Sequence, residues 1–323
     1  MSNETTKLQF QDRAALEATV RRAYEAGRRA LGSGTVANYI PELANASPDW
    51  FGLVVHPVGA AEPVAVGDSD LAFSLQSVSK IFSLACLLND DDHGVFERVG
   101  VEPSGDAFHS IVRLEEERGI PRNPLINAGA IVVSGRLRGT SVDEKIAHFQ
   151  QFLRGICTEG AFGVDEAVYL SEWKTGFRNR SLANYMRHWE ILEDPMLYCE
   201  TYIRQCAIEV TARGLARLGL FLANGGVDPI QKRTVLDGKD TRTLLAVMLT
   251  CGLYDEVGRF AVDVGVPAKS GVSGGLLGVV PGVCSIASYG PALGAKGNSV
   301  AGLAALRSLA DELNLSIFEP RGG

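Results

Sequence analysis

FSLQSVSKIF, at residues 73–82, is the stretch around which the fold and the chemistry of this chain are predicted. Ser77 and Lys80 lie three residues apart in it, and an apolar run from Ile81 to Leu88 follows. Such a run predicts a buried helix, on which residues three apart share a face, so the Ser77 hydroxyl and the Lys80 amine can meet. A lysine that burial keeps partly neutral could accept the serine proton and create a nucleophile. The alternative is a capping serine beside a solvated lysine, and this stretch alone leaves both open.

The composition indicates an acidic protein with an enzyme-sized core. The 323 residues are 46% hydrophobic and 21% charged, with a formal net charge of −7 and a pI near 5.4. Because phosphate binding needs a basic surface, this balance disfavours nucleic acid as a partner. Every apolar run is shorter than the roughly 18 residues of a membrane helix, and the polar start MSNETTK is unlike a signal peptide. We therefore expect a cytoplasmic protein that binds neither nucleic acid nor a membrane.

The spacing of cysteine and histidine predicts neither a metal site nor a disulfide framework. The six cysteines contain no Cys-x-x-Cys pair and most have apolar neighbours, so reduced core thiols are expected. The five histidines form no His-x-x-x-His pair, and we expect no bound metal. We likewise expect no organic cofactor.

Periodicity divides the chain into a helical middle between two mixed ends. A helix is predicted from Asp12 to about Leu31, followed by strands at residues 50–58 and 64–67. After the helix that follows Ser77, further helices are expected at about residues 142–155, 163–172, 180–192, 195–206 and 209–224. Strands are expected again at Arg259–Gly265, 276–280 and 283–289, and a last helix at about 298–313.

These elements predict one α/β domain of the α+β type over residues 1–323. Strands from both ends of the chain would form one antiparallel sheet flanked by the terminal helices. This sheet and these helices would make up an α/β part at about residues 12–75 and 257–315. Residues from about 77 to 256 would form an all-helical part. A site at the seam between the two parts would lie where pockets are common. The turn-rich, charged residues 102–126 show no clear periodicity and predict either disorder or a cover over such a site.

A second motif strengthens the chemical interpretation of Ser77 and Lys80. The segment PAKSGVSGG, at residues 267–275, places Lys269-Ser270-Gly271 between two of the expected terminal strands. Enzymes that use Ser-x-x-Lys carry Lys-Ser/Thr-Gly on a strand opposite the nucleophile. A phosphate loop is the alternative for a glycine-rich segment, but the order Gly-x-x-x-x-Gly-Lys-Ser/Thr is absent. The two motifs in this order favour acyl transfer.

Four longer segments together resemble the serine-dependent glutaminases, which share the serine β-lactamase/transpeptidase-like fold. They are QSVSK at 76–80, NPLINAGA at 123–130, CGLYD at 251–255 and PAKSGV at 267–272, within a resemblance that runs from about residue 34 to 300. It implies hydrolysis of L-glutamine to glutamate and ammonia through a serine acyl-enzyme, and a homodimer or homotetramer. A penicillin-recognising β-lactamase is the runner-up, although its Ser-Asp-Asn or Tyr-x-Asn motif is absent. A non-catalytic amino-acid-binding relative is the third interpretation.

The same resemblance implies a role for each site residue. Ser77 would attack the amide carbon, with Lys80 as its base and Tyr202 relaying a proton to ammonia or activating water. Backbone N–H groups of Ser77 and Val272 would hold the oxyanion. The substrate-binding set implied by the family consists of Ser77, Asn127, Glu172, Asn179, Tyr202, Tyr254, Val272 and Tyr39.

Several of these residues also have ordinary structural interpretations. Glu172 and Asn179 are seven apart, which places them on one face of a continuous helix, but Gly176 between them makes a turn equally consistent. By composition alone both fit an ordinary surface. Without the family pattern, Tyr202 fits a half-buried helix position and Tyr39 fits simple loop packing.

Overall fold

The computed structural model describes Phe10, residues 12–104, 111–158, Gly160 and residues 162–319. The helices in these ranges are α1 (Arg13–Ala30), α2 (Ser79–Asn89), α3 (Val112–Glu116), α4 (Asn127–Arg136), α5 (Val142–Ile156), α6 (Glu166–Thr175), α7 (Phe177–His188), α8 (Pro195–Cys206), α9 (Ala212–Ala223), α10 (Gly238–Cys251), α11 (Val257–Asp263) and α12 (Val300–Leu313). The strands are β1 (Thr35–Val36), β2 (Gly52–Pro57), β3 (Val64–Gly67), β4 (Phe73–Ser74), β5 (Glu209–Val210), β6 (Val227–Asp228), β7 (Arg233–Thr234), β8 (Ala268–Ser270), β9 (Gly275–Val280), β10 (Cys284–Tyr289) and β11 (Ala292–Leu293). Within the described residues, no helix combines the length and the apolar character needed to cross a membrane.

Five strands form one antiparallel sheet in the order β3-β2-β10-β9-β8, so strands from both ends of the chain pair as expected. β2 and β3 form the first predicted hairpin. β9 and β10 form the second, through a turn in which Gly282 has a φ of +75° that glycine adopts without strain. The edge strand β8 carries Lys269 and Ser270. The Lys-Ser-Gly motif therefore begins on a strand of this sheet.

Alternation of side chains gives the sheet two buried faces. Leu53 and Val55 of β2 belong to a core with α1 and α12, whereas Val54 belongs to the core of the helical middle. Lys269 pairs in register with Leu277, which also belongs to the helical core. Lys269 consequently lies on the face that the middle helices cover, the same side of the sheet as α2.

The strand expected at Arg259–Gly265 is wrong, because this segment lies largely in α11. Phe260, Val262 and Val264 alternate along the sequence, which is typical of a strand. In the structure Val262 is 82% exposed, while Phe260 and Val264, four residues apart, are buried. A spacing of four is the spacing of one helical face, so burial here follows the helical period rather than the period of two.

The helical middle keeps the expected order of helices, but it also contains short strands, β5 and the β6–β7 pair, and further helices. Residues 209–210 form β5, which pairs with β4 directly before the Ser77 segment, and the helix begins only at residue 212. Helix α10 was not predicted, although Asp237 caps it by accepting a hydrogen bond from the Asp240 N–H at 2.7 Å. Within residues 102–126, for which either disorder or a cover was expected, the structure forms α3; residues 105–110 lie outside the described residues.

Gly129 sets how closely α4, the helix that carries Asn127, packs on the chain before it. A Cβ atom at Gly129 would lie 2.0 Å from the Asn123 carbonyl oxygen. We expect Gly129→Ala to lower the free energy of unfolding by about 3 kcal/mol, because backbone must move to relieve the overlap. Urea unfolding followed by circular dichroism measures this loss.

Gly32→Ala is the matched control, since no described atom lies within 4 Å of a Cβ added there. We expect this variant to differ from the parent by less than about 1 kcal/mol. Equal destabilisation by the two substitutions would contradict the packing role of Gly129.

Candidate active site

Ser77 lies in a short 3-10 helix, Gln76–Val78, that leads directly into α2. The chain enters it from β4, and the Leu75 N–H donates to the Ile208 carbonyl at 2.8 Å. Gln76 has a φ of +47°, a left-handed conformation that is uncommon for a residue other than glycine. Backbone strain of this kind persists where the surroundings over-determine it, and it is concentrated at functional sites. The backbone therefore presents Ser77 in a strained, fixed turn.

Lys80 is fully buried one turn further along. Its Nζ donates to the Leu125 carbonyl at 3.1 Å and to Asn127 Oδ1 at 2.8 Å. Burial lowers the pKa of Lys80 to about 8, because a low-dielectric interior disfavours the ammonium form. With such a pKa about a tenth of the amine is neutral at pH 7, so Lys80 can accept a proton there.

Asn127 connects the lysine to two other predicted site residues. Its Oδ1 accepts hydrogen bonds from Lys80 and from the Tyr202 hydroxyl, the latter at 3.2 Å, and its Nδ2 donates to Asn179 Oδ1 at 2.9 Å. Burial raises the pKa of Tyr202 well above its usual value, so the phenol stays protonated near neutral pH. The Asn127 amide thus links Lys80, the Tyr202 phenol and the Asn179 amide.

Glu172 and Asn179 are buried, 7% and 8% exposed, so the surface interpretation of these two residues is wrong. The helix breaks between them, with α6 ending and α7 beginning on either side of Gly176, as the turn alternative expected. Gln76 Nε2 donates to Glu172 Oε2 at 3.4 Å. Burial raises the pKa of Glu172 to about 7, and the charge of Lys80 opposes this rise. The carboxyl group is therefore poised to ionise when a cation binds beside it.

The far wall is built from β8 and from the turn that carries Tyr254. Lys269 Nζ donates to the Gly252 carbonyl at 3.0 Å and the Ser270 carbonyl at 2.7 Å, and it lies 4.6 Å from the centroid of the Tyr254 ring. The Tyr254 hydroxyl donates to the Ser270 carbonyl at 3.3 Å, and the Ser77 side chain lies near enough to lower the pKa of this phenol. Burial raises the pKa of Tyr254 to about 12. Contact of this phenol with Ser77 was not expected from the sequence.

A cavity of about 320 Å³ brings these groups together. Of the predicted site residues, its lining contains Tyr39, Ser77, Asn127, Glu172, Asn179, Tyr202 and Val272. The two other predicted residues, Lys80 and Tyr254, lie next to this lining. Lys80 donates to Asn127, and Tyr254 lies beside Ser77. Tyr39 is 55% exposed, which places it at the open side. The structure thus assembles all nine predicted residues at one place.

Sequence reasoning did not assign a role to five further lining residues, which are Ile40, Gln76, Thr175, Gly176 and Arg178. Gln76 was visible as the first residue of QSVSK, directly before Ser77. Arg178 adds a cation to the cavity wall, but a basic residue beside a predicted binding residue is too common to single out. Gly176 was visible as a break, and the structure shows why: a Cβ there would lie 2.8 Å from the Glu172 carbonyl oxygen.

A second cluster of side chains contains residue types that can bind a metal ion, although no bound metal was expected. Cys86, Asp90 and His148 bring potential ligand atoms within 4.8 Å of one another. His148 Nε2 already lies 2.6 Å from Asp90 Oδ2, and Arg138 Nε lies 3.4 Å from the same oxygen. Burial also raises the pKa of the Cys86 thiol, whereas a metal needs the thiolate. Asp90 in this cluster is thus already hydrogen-bonded to His148 and ion-paired with Arg138.

The antiparallel sheet with its terminal helices, the helical middle and the Ser77–Lys80 pocket define the serine β-lactamase-like fold class. A family model described as Glutaminase matches residues 34–318. This chain belongs to the glutaminase family.

Individual glutaminases are similar to this chain over most of its length. The glutaminase of Rhodopseudomonas palustris (strain BisB5) is 48% identical over 306 residues, 94% of this chain and 98% of that protein. The glutaminase of Methylorubrum populi is 47% identical over 287 residues, 88% and 93% of the two chains. The structure of the Bacillus subtilis glutaminase YbgJ in covalent complex with 5-oxo-L-norleucine, formed by reaction with 6-diazo-5-oxo-L-norleucine, has a TM-score of 0.83 at 36% identity and covers 93% of this chain and 98% of that one.

Proposed function

We propose that this chain is an L-glutamine amidohydrolase, which releases glutamate and ammonia through an acyl-enzyme on Ser77. One observation carries the proposal: a buried carboxyl group, Glu172, shares a cavity of about 320 Å³ with a serine that has a buried lysine one turn away. A cavity of that size suits one small amino acid, and its carboxylate suits an α-ammonium group. Membership of the glutaminase family supports glutamine as that amino acid.

Acylation would use Ser77 as the nucleophile and Lys80, one turn away, as its base. Neutral Lys80 takes the proton of the Ser77 hydroxyl while Oγ bonds to the side-chain amide carbon of glutamine, giving a tetrahedral oxyanion. Backbone N–H groups of Ser77 and Val272 would stabilise that charge. The C–N bond then breaks, and the nitrogen leaves as ammonia after receiving a proton through Tyr202, which shares the Asn127 oxygen with Lys80.

Deacylation reverses the roles. Water adds to the ester carbon as Lys80, or Tyr202 acting with it, accepts a water proton, and collapse of the second tetrahedral species breaks the C–Oγ bond. Glutamate leaves and Ser77 regains its proton. In substrate binding, Glu172 would hold the α-ammonium group, while amide and hydroxyl donors of Asn127, Asn179 and Tyr39 would hold the α-carboxylate. Tyr254, whose hydroxyl donates to the Ser270 carbonyl, would contact the substrate beside Ser77.

Ammonia release from glutamine, measured beside nitrocefin turnover, tests this function. Ammonia from glutamine without nitrocefin hydrolysis supports the proposal. Nitrocefin hydrolysis without ammonia would favour the β-lactamase alternative. Glutamine binding by calorimetry with neither reaction would favour a non-catalytic amino-acid-binding relative.

Glu172→Gln is expected to raise KM for glutamine by about 100-fold with less than about a tenfold change in kcat, since a charge-assisted bond to the α-ammonium group is lost. In the parent, KM should rise as pH falls through about 7, because Glu172 becomes protonated and loses its charge. In the variant this pH dependence of KM should disappear. Steady-state kinetics from pH 6 to pH 8 measure both effects.

Glu166→Gln is the matched control, because Glu166 lies on the same helix α6 but pairs on the surface with Arg204 at 3.2 Å. Its kinetics should match those of the parent. A KM that stays unchanged in Glu172→Gln would remove Glu172 from the binding set.

The proposed enzyme is cytoplasmic and assembles as a homodimer or homotetramer. Its residues 1–323 form one catalytic domain with an α/β part and a helical part. Free thiols at Cys86, Cys199, Cys206 and Cys251 support a reducing compartment. Light scattering of the purified protein tests the assembly.

A further inference from the structure

Asn298 ties together two segments that carry site residues. It is 1% exposed and lies just before α12. Its Nδ2 donates to the Leu253 carbonyl at 3.2 Å and to Glu256 Oε2, and its Oδ1 accepts from Ser270 Oγ at 2.5 Å. One buried amide thus satisfies both its donor and its acceptor side. In doing so it joins the turn around Tyr254 to strand β8.

The turn that Asn298 holds is strained. Tyr254 has a φ of +52°, and a bulky side chain in this left-handed region is an outlier that surrounding contacts must enforce. The Glu256 N–H donates to the Leu253 carbonyl at 3.0 Å, so that carbonyl accepts from the backbone and from Asn298. Asn298 therefore holds both the residue before Tyr254 and a residue after it.

The position of Tyr254 matters because its ring lies 4.6 Å from Lys269 Nζ of the far wall and its hydroxyl lies beside Ser77. The same hydroxyl donates to the Ser270 carbonyl at 3.3 Å. The Ser270 side chain in turn donates to Asn298 Oδ1. Asn298 and Tyr254 thus both form hydrogen bonds with Ser270 of strand β8. Misplacement of a catalytic contact by 1 Å can cost about 100-fold in rate, so a loosened turn would separate the phenol from the nucleophile.

We propose that Asn298 is a positioning residue for the reaction at Ser77, acting through Tyr254 by holding residues 253–256 against β8. The inference rests on the proposed glutaminase function. The side-chain hydrogen bonds described for Asn298 go to Leu253, Glu256 and Ser270. Asn298 is not among the residues that line the cavity of about 320 Å³, so its influence on the reaction would pass through Tyr254.

A double-mutant cycle with Tyr254→Phe tests this coupling. Asn298→Ala should lower kcat/KM by about 100-fold. If Asn298 acts through the Tyr254 hydroxyl, adding Asn298→Ala to Tyr254→Phe should lower kcat/KM by less than about threefold further. Effects of the two substitutions that multiply in full would overturn the proposal, since a merely structural residue would harm both backgrounds alike.

A second pair of variants covers the case in which Asn298→Ala does not fold. Asn298→Asp keeps the volume and the acceptor for Ser270, but it loses the donor to Leu253 and places a carboxylate against Glu256. We expect a loss of kcat/KM of about 30-fold or more. Adding Glu256→Gln supplies a donor to the new carboxylate and should recover at least about tenfold. No recovery would overturn the proposal.

Asn224→Ala is the matched control, because the Asn224 amide also donates to a backbone carbonyl, that of Val227 at 2.9 Å, in a turn that follows α9. It should retain the kinetics of the parent. An active parent with Asn298→Ala within about threefold of it overturns this inference alone. A parent that releases no ammonia from glutamine overturns the proposed function and this inference with it.

Discussion

Ser77→Ala is expected to lower kcat for ammonia release by at least about 10,000-fold, because loss of the proposed nucleophile removes the acyl-enzyme pathway. The hydroxyl of Thr175 also lines the cavity, but it donates to the Ser171 carbonyl of its own helix at 3.0 Å. Ser77 is instead held in a strained turn against Tyr254. Glutamine should still bind the variant, with a Kd by calorimetry within about threefold of that for the parent, since Glu172 remains.

Ser285→Ala is the matched control for loss of a buried hydroxyl. The Ser285 side chain is fully buried in β10, and its Oγ has no hydrogen-bond partner among the described residues. Alanine at that position should leave both activity and thermal stability at the level of the parent. A Ser77→Ala protein with more than about a tenth of parental kcat would assign the nucleophile to another residue.

Lys80→Ala is expected to lower kcat/KM by at least about 1,000-fold while the fold persists, because general-base catalysis and the charge balance of the site are both lost. Lys80→Arg should be nearly as inactive, since a guanidinium keeps the charge but cannot deprotonate. The base form of Lys80 is neutral, so kcat/KM of the parent should rise with pH until the group, with a pKa of about 8, has lost its proton. Stopped-time ammonia assays across pH 6 to pH 9 measure this limb.

Lys145→Ala controls for removal of a buried lysine. Lys145 is 6% exposed, donates to the Leu137 carbonyl at 2.6 Å, and has a pKa that burial lowers. It differs from Lys80 in its neighbours rather than in its burial. Substantial remaining activity in Lys80→Ala, or an equal loss in Lys145→Ala, would rule out Lys80 as the specific base.

Much of the fold could be predicted because short-range patterns carry it. The hairpin of β9 and β10 follows from two apolar runs around Pro281-Gly282, and helix α1 follows from an apolar face that begins after the capping residue Asp12. The error at α11 arose because Phe260, Val262 and Val264 satisfy both a period of two and, in part, a helical face. Only burial separates the two periods, and burial depends on what the rest of the chain places nearby.

The candidate site and its reaction class could be predicted from the motifs and the family resemblance, but the burial and contacts of its side chains could not. Glu172 and Asn179 are compatible with an exposed helix until α8 and the Ser77 segment cover them, and the raised pKa of Glu172 is a consequence of that cover. Tyr254 was expected to bind substrate, whereas its contact with Ser77 depends on a strained turn. No local pattern indicates a positive φ at a tyrosine.

The sequence by itself determined the hairpins of β2 with β3 and of β9 with β10, the terminal helices α1 and α12, and the family of the chain. These depend on residues close together along the chain, where spacing fixes geometry. Only the tertiary structure decided which groups meet across long separations. Hydrogen bonds join Gln76 to Glu172, 96 residues apart in the sequence, and Lys80 to Asn127, 47 residues apart. Another joins Ser270 to Asn298, 28 residues apart. Such contacts, and the desolvation that shifts the pKa values of Lys80 and Glu172, arise from packing of the whole chain, which no single segment encodes.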